Sequence, residues 1–242
     1  MSLAMTIAAV VPTVPIPKFE FGVGAASKPQ EVAQTLQIML LLTVLTLAPT
    51  MLVLLTSFTR IIIVFSFLRT AVGTPTVPPT QVLTGLALLL TFFVMKPVID
   101  DANAHAFQPY MKQQISQAVA LDRASVPLRR FMFRQTRVKD IALFYKLSKA
   151  KTPAKQADVP NYILIPAFVI SELKTAFEIG FAIYVPFIVI DMVVASILLS
   201  MGMMMIPPTT ISLPLKILVF VLVDGWNLTV SALFSSFSGI SR

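Results

Sequence analysis

Residues 192–215 read MVVASILLSMGMMMIPPTTISLPL, and no side chain in that stretch carries a charge. The interval exceeds the ~20 residues a helix needs to cross a bilayer core. Charge is also missing from residues 32–58 and 70–95. The whole chain is 56% hydrophobic and 12% charged, where a soluble domain carries about 25% charged residues. These intervals require an integral membrane protein or a part of a membrane-level assembly, built from helices.

At the centre of the opening stretch stands Met201-Gly202-Met203-Met204-Met205-Ile206-Pro207-Pro208. Methionine is unbranched and polarizable, so a run of it makes a soft surface that reshapes around changing contents. Pro207 and Pro208 lack the N–H a helix interior requires, and are expected to end any helix arriving from the N-terminal side. Gly202 loosens the same turn. Two readings follow: a constriction in a conduit, or an apolar helix–loop–helix that uses methionine as filler.

Several chemistries are poorly served. The chain has no Cys and a single His105, so it offers no disulfide, no cysteine-ligated metal and little for a proton relay. Ser171, Glu172 and Lys174 crowd together, but no nucleophile elbow, zinc-binding helix or phosphate-binding glycine loop accompanies them. An enzyme is not expected, nor is a bound metal or cofactor.

The chain divides into two hydrophobic halves around a polar middle. Residues 1–33 form an N-terminal segment that reads either as a divergent signal sequence or as an extracytoplasmic tail. Positions 4–14 are largely apolar, but no Lys or Arg precedes them, and Pro12, Pro15 and Pro17 break the run. Residues 34–99 read as a helical hairpin whose first arm is kinked or broken at Pro49. Residues 100–160 hold Lys112, Arg123, Arg129, Arg130, Arg134, Arg137, Lys139, Lys146, Lys149, Lys151 and Lys155, which is 11 of the 19 basic residues. Only Asp100, Asp101, Asp122, Asp140 and Asp158 oppose them. Phe131, Phe133, Val138, Ile141, Leu143, Phe144 and Leu147 recur there at amphipathic-helix spacing. Nucleic acid is not the expected partner, because no recognised motif accompanies the basic residues. The positive-inside rule would place this excursion in the cytoplasm, but it weakens at loops of roughly 60 residues. Residues 161–242 form the second hairpin. Its first arm, 162–200, is about 58 Å long as one helix, with Pro166 and Pro186 expected to bend or divide it. The last span, 213–237, contains Lys216 and Asp224.

Charges within such spans are costly, so each needs a reason. Lys174 and Glu178 are four apart and share a helical face. Asp191 and Asp224 each sit among apolar neighbours. Intramembrane acids mark an ion or proton path in one reading. In the other they pair with Arg60, Arg69, Lys96 or Lys216 on neighbouring helices or subunits.

The residues also carry a resemblance. Thr56-Ser57-Phe58-Thr59-Arg60-Ile61-Ile62-Ile63-Val64-Phe65, then Leu68-Arg69 and Gly73-Thr74-Pro75, resemble the first signature of the FliP family. These are the flagellar members of the type III export gate, related to the SctR proteins of injectisomes. The run from Pro166-Ala167-Phe168 through Ser171-Glu172-Leu173-Lys174 to Glu178-Ile179-Gly180-Phe181 is similar to the second signature. Gly202-Met203-Met204-Met205-Ile206-Pro207-Pro208 and Val223-Asp224-Gly225-Trp226 extend the likeness, which covers about residues 34–237. Phe131-Met132-Phe133-Arg134-Gln135-Thr136-Arg137 favours the flagellar branch.

The resemblance implies an all-α fold of long membrane-associated helical hairpins that assemble into a conical export-gate pore. It implies a homo-pentamer with FliR-like and FliQ-like gate subunits, working beside FlhB-like and FlhA-like export components. Unfolded flagellar proteins would cross the bacterial inner membrane through it, at the flagellar basal body. Much of the assembly, with the excursion of residues 100–160, would lie toward the periplasm. Met203, Met204 and Met205 map onto the family's pore gasket, with Gly202, Pro207 and Pro208 shaping the loop. Arg60, Glu172, Lys174 and Glu178 are expected at polar contacts between subunits, and Asp191 and Asp224 as gating or structural acids. The competing reading is an autonomous ion channel or transporter that uses its intramembrane acids.

Overall fold

The computed structural model describes residues 29–151, 153 and 155–238, and every regular element among them is helical. The N-terminal signal or tail expected over residues 1–33 lies almost wholly outside the described residues. The chain divides into two units, residues 1–46 and 47–242. The described part of the first is the beginning of helix α1, Pro29–Leu54. Along it Thr43 and Thr46 donate their hydroxyls to the carbonyls of Met39 and Thr43, at 2.8 and 2.9 Å.

In the second unit α1 runs on through Pro49 and stops at Leu54, so the break falls after the proline and not at it. Local hydroxyls explain the position. Thr56 and Thr59 both donate to the Val53 carbonyl (3.3 and 3.4 Å), and the Phe58 N–H turns to the Thr56 hydroxyl (3.4 Å). Side chains that capture backbone groups compete with the helix ladder. Helix α2, Phe58–Val72, starts immediately afterwards.

Helix α3, Thr80–Ala102, passes through a π turn, Asn103–Phe107, into the short α4, Gln108–Met111. The excursion then forms α5, Gln117–Gln135, and α6, Val138–Ser148. A single 3-10 turn, Gln156–Asp158, precedes α7, Asn161–Ser200. That 40-residue helix is continuous through Pro166 and Pro186. The expected division does not occur, as in membrane helices whose packed neighbours re-satisfy the backbone groups that proline frees.

The last span also differs from expectation. It forms two helices, α8 (Pro208–Leu222) and α9 (Gly225–Ser238), that meet at 64°. Asp224 takes φ +50°, a region Asp tolerates through its short polar side chain. Its carbonyl accepts from the Leu228 N–H at 3.1 Å and so starts α9. The continuous helix Thr80–Met111 and α7 are each long and apolar enough to cross a membrane, and the bent α8–α9 pair makes a third candidate.

The packing is that of membrane helices. Two apolar partners gain little hydrophobic energy in lipid, so close approach of small residues carries the association. Ala71 of α2, Ala87 of α3, and Ala167 and Ala176 of α7 are all fully buried. Around them Ile61, Val64, Phe65 and Leu83 join α2 to α3 and α7. The excursion packs by its aromatic side. Phe131, Met132 and Tyr145 bury against Met95 of α3 and Ile163, Leu164 and Phe168 of α7. Phe131 meets Phe168 edge-to-face at 5.9 Å, a geometry worth ~0.5–1.5 kcal/mol beyond area burial.

Gly180 of α7 lets Phe67 of α2 approach closely. A Cβ there would stand 2.6 Å from Cγ of Phe67 and 2.9 Å from its Cβ, the rigid root of that side chain. Gly180→Ala is therefore expected to lower stability by about 1–3 kcal/mol, the range for overpacking. Thermal unfolding in detergent checks this, and Phe67→Ala in the same chain should recover part of the loss. An unchanged midpoint for Gly180→Ala would mean that the two helices separate freely.

Candidate functional site

One buried ionic centre and one partly exposed one lie along α7, and the methionine loop caps its far end. The first centre is built on Arg60, one turn into α2 and wholly inaccessible to solvent. Its Nε donates to Glu172 Oε2 at 2.9 Å, and Nη2 donates to Glu172 Oε1. Nη2 also donates to Gln135 Oε1 at 2.9 Å. Nη1 donates to the hydroxyl and the carbonyl of Ser236, at 2.9 and 3.2 Å. A guanidinium has five N–H groups, and these five contacts use all of them. The Phe237 ring lies 4.0 Å from the guanidinium carbon, and the Phe237 carbonyl accepts from Gln135 Nε2 at 3.0 Å. One cation thus fastens α2, α5, α7 and α9 together.

Glu172 is equally inaccessible and shares its carboxylate with Arg60 in the bidentate geometry. Within the single chain both residues of this pair are already fully engaged. Lys174 and Glu178, the other two residues expected between subunits, reach the surface. Glu178 takes a hydrogen bond from Arg137 Nη2 at 2.6 Å and lies 3.8 Å from the Lys174 amine. Arg137 also donates to the Thr175 hydroxyl at 3.3 Å.

Next to them the crowded Ser171 has a structural task. Its hydroxyl donates to Asp140 Oδ2 at 2.5 Å and accepts the Arg137 N–H at 3.1 Å, docking the start of α6 onto α7. No group of three or more His, Cys, Asp or Glu side chains among the described residues is placed to hold a metal.

The second centre joins α7 to α8. Lys216 Nζ donates to Asp191 Oδ2 at 2.5 Å, and the Ser212 hydroxyl donates to Oδ1 at 2.6 Å. Lys216 and Ser212 are buried. Asp224 is different: among the described residues its carboxylate has no ion pair, and it sits at the 64° bend.

The methionine loop is the connection between α7 and α8. Helix α7 stops at Ser200, where Gly202, at φ +76°, lets the chain turn. The Met203 N–H returns to the Leu198 carbonyl at 2.9 Å, and the Gly202 N–H to Leu199 at 3.1 Å. The prolines end no helix here. Pro207 precedes α8 and Pro208 opens it, where a fixed φ and a missing donor are no disadvantage. Met203, Met204 and Met205 stand 41%, 80% and 97% exposed, so exposure rises along the loop toward Met205.

Gln135, Ser236, Phe237, Arg137 and Ser212 complete these centres and were not singled out as site residues from the sequence. Gln135 and Arg137 fall within the motif of residues 131–137, Ser212 and Ser236 are hydroxyls of the kind that commonly bond their own helix, and no sequence signal marks Phe237.

Residues 41–233 match the family model described as the FliP family. A flagellar biosynthetic protein FliP of Bacillus subtilis is 54% identical over 213 residues, covering 88% of this chain and 96% of that protein. Its counterpart from Pectobacterium carotovorum is 55% identical, over 84% of this chain and 79% of its own. That of Caulobacter vibrioides is 44% identical, over 97% and 88%.

Removing one partner of a buried ion pair costs ~3–5 kcal/mol, because the other charge is left uncompensated. Glu172→Gln is therefore expected to reduce accumulation of the folded chain more than Asp191→Asn, because the Asp191 side chain is itself 36% exposed. Arg60→Gln combined with Glu172→Gln should be better tolerated than Glu172→Gln alone. Quantitative blotting of membrane fractions checks both, and a double variant no better than the single would deny that charge compensation is the cause.

Proposed function

This chain belongs to the FliP family of flagellar biosynthetic proteins, and from that premise we propose that it is the pore-forming subunit of a flagellar type III export gate. Its membership places it among membrane components of the flagellar export apparatus and not among enzymes. Five copies would form the gate with FliR-like and FliQ-like subunits, beside FlhB-like and FlhA-like components, in the bacterial inner membrane. The basic excursion and much of the ring would face the periplasm. Unfolded flagellar subunits are the cargo.

The observation that carries this reading is the tip of the α7–α8 hairpin, where Met203, Met204 and Met205 project from a turn that holds itself together by backbone bonds alone. A ring of such tips is apolar and resists wetting when empty, as hydrophobic constrictions do. Thioether chains conform to any passing residue without strong directionality. Gly202, Pro207 and Pro208 keep the tip short and fix where α8 begins. Asp224, at the bend of the last span, is the acid we assign to gating, while Asp191 with Lys216 holds the hairpin closed. The autonomous transporter reading relied on acids in the spans, and Glu172 and Asp191 are engaged by Arg60 and by Lys216 with Ser212. Lys174 and Glu178 are the charges we assign to contacts between subunits.

Replacing Met203, Met204 and Met205 together by Ala is expected to leave assembly intact and to make the closed gate conduct ions. Planar-bilayer recordings of the complex purified with its partners measure this directly. A triple variant as ion-tight as the parent would reject the gasket assignment. Glu178→Ala is expected to lower recovery of the pentamer in native mass measurements more than it lowers total chain in the membrane. Normal pentamer with lost secretion would move that residue from assembly to transport.

A further inference from the structure

A cleft of about 430 Å³ opens between the end of α3, the second half of α5 and the end of α9, where Phe234 and Phe237 add to its apolar lining. Its lining changes character along α3. Phe93 and Val98 form an apolar wall, which continues across the cleft in Phe131 of α5. Two turns beyond Phe93 stands Asp101, and there Arg130 and Arg134 of α5 form the rim. The change from hydrocarbon to charge takes place over ~12 Å of helix rise. It coincides with the charged end of a helix long and apolar enough to cross a membrane.

The rim has positive charge to spare. Arg130 lies 3.2 Å from Asp101, which is also 2.7 Å from the His105 ring. Arg134 has no ion pair among the described residues. It projects from the same face of α5 as Arg130, one turn on. The two arginines are exposed and also line an adjoining cleft of about 480 Å³ with Arg129, Asp122, Ser125 and Gln156, where basic groups outnumber the one acid.

We propose that this cleft holds an anionic phospholipid, with the phosphate on Arg134 and Arg130 and an acyl chain along Phe93, Val98 and Phe131. A basic pocket at the end of a membrane helix is the arrangement that selects acidic head groups over neutral ones. Arginine suits the task because its planar fork matches phosphate oxygens. A free phosphate would use the rim but leave the apolar wall without purpose. The lipid accounts for both, and it would fill the joint between a membrane span and the basic excursion with a molecule the membrane supplies.

The test uses the full chain, purified in detergent and stripped of lipid, then offered phosphatidylglycerol and phosphatidylcholine in native mass spectrometry. The parent should retain phosphatidylglycerol at least about fivefold better, and Arg134→Gln should lose about fivefold of its affinity, the worth of one basic residue near an anionic surface. Arg130→Gln with Arg134→Gln should abolish the preference at an unchanged thermal midpoint in lipid-free detergent. Val98→Trp, which fills the wall, should lower retention of phosphatidylglycerol without altering the effect of inorganic phosphate on thermal stability. Equal preference in parent and double variant would overturn the proposal. So would displacement of the lipid by inorganic phosphate at equal concentration, or loss of bound lipid on assembly with further copies, which would give the cleft to a neighbouring subunit.

Discussion

A guanidinium buried with all five of its N–H groups bonded is the constraint that orders this chain. Arg60 is costly to remove from water, and only a complete set of acceptors offsets that. The set is drawn from places far apart in sequence: Glu172 on α7, Gln135 at the end of α5, and Ser236 near the end of α9. No two of those elements can shift without leaving a donor empty in a low-dielectric interior. The apolar seams around the centre are adaptable by comparison, since Ile, Leu and Phe contacts gain little energy over lipid. Charge here supplies the registration that hydrophobicity cannot give inside a membrane-level assembly.

The second centre repeats the logic on a smaller scale. Asp191, Lys216 and Ser212 fix the α7–α8 hairpin along its flank, well below the turn. Because the arms are held there, the turn itself needs no side-chain anchor. Residues 201–206 are therefore released from packing, and their composition is open to requirements other than stability. This explains how five neighbouring side chains, Met201 and Met203 to Ile206, stay exposed in a chain whose interior is closely packed.

Much of this was legible in the sequence, and the illegible part has a physical pattern. Uninterrupted apolar intervals disclose helical membrane-type elements because bilayer thickness sets their length. The excursion's apolar periodicity is only half right: Phe131 faces the core, but Val138, Leu143 and Leu147 of the same series stand exposed. Partner identity is another matter. Arg60 announces itself as a charge in an apolar run, but Glu172 lies 112 positions away, and no local period connects them. Pro207 and Pro208 were expected to stop a helix and instead start one, since proline has opposite effects at an interior position and at the first turn. Pro49 was expected to kink or break its helix and Pro186 to bend or divide its own, and both helices continue through them. The break near Pro49 was made by threonine hydroxyls, and the bend in the last span by the backbone at Asp224. In each case the outcome depends on which neighbour takes the freed backbone group, and only the packed structure decides that.

Under the proposed gate function, the division of labour between the two kinds of side chain bears on how a conduit for unfolded chains can be built at all. Such a conduit must widen for any residue and close again without memory of the last one. Directional bonds at the constriction would favour some cargo over others, and they would have to break and reform at each step. The chain keeps its strong directional bonds at Arg60 and Asp191 and places only thioethers and one isoleucine side chain at the exposed tip. Rigid arms then set the position of the tip while its surface stays compliant. A cationic rim at the far end of a membrane span follows the same rule, with lipid serving as the compliant partner where a fixed side chain would lock the excursion to the bilayer.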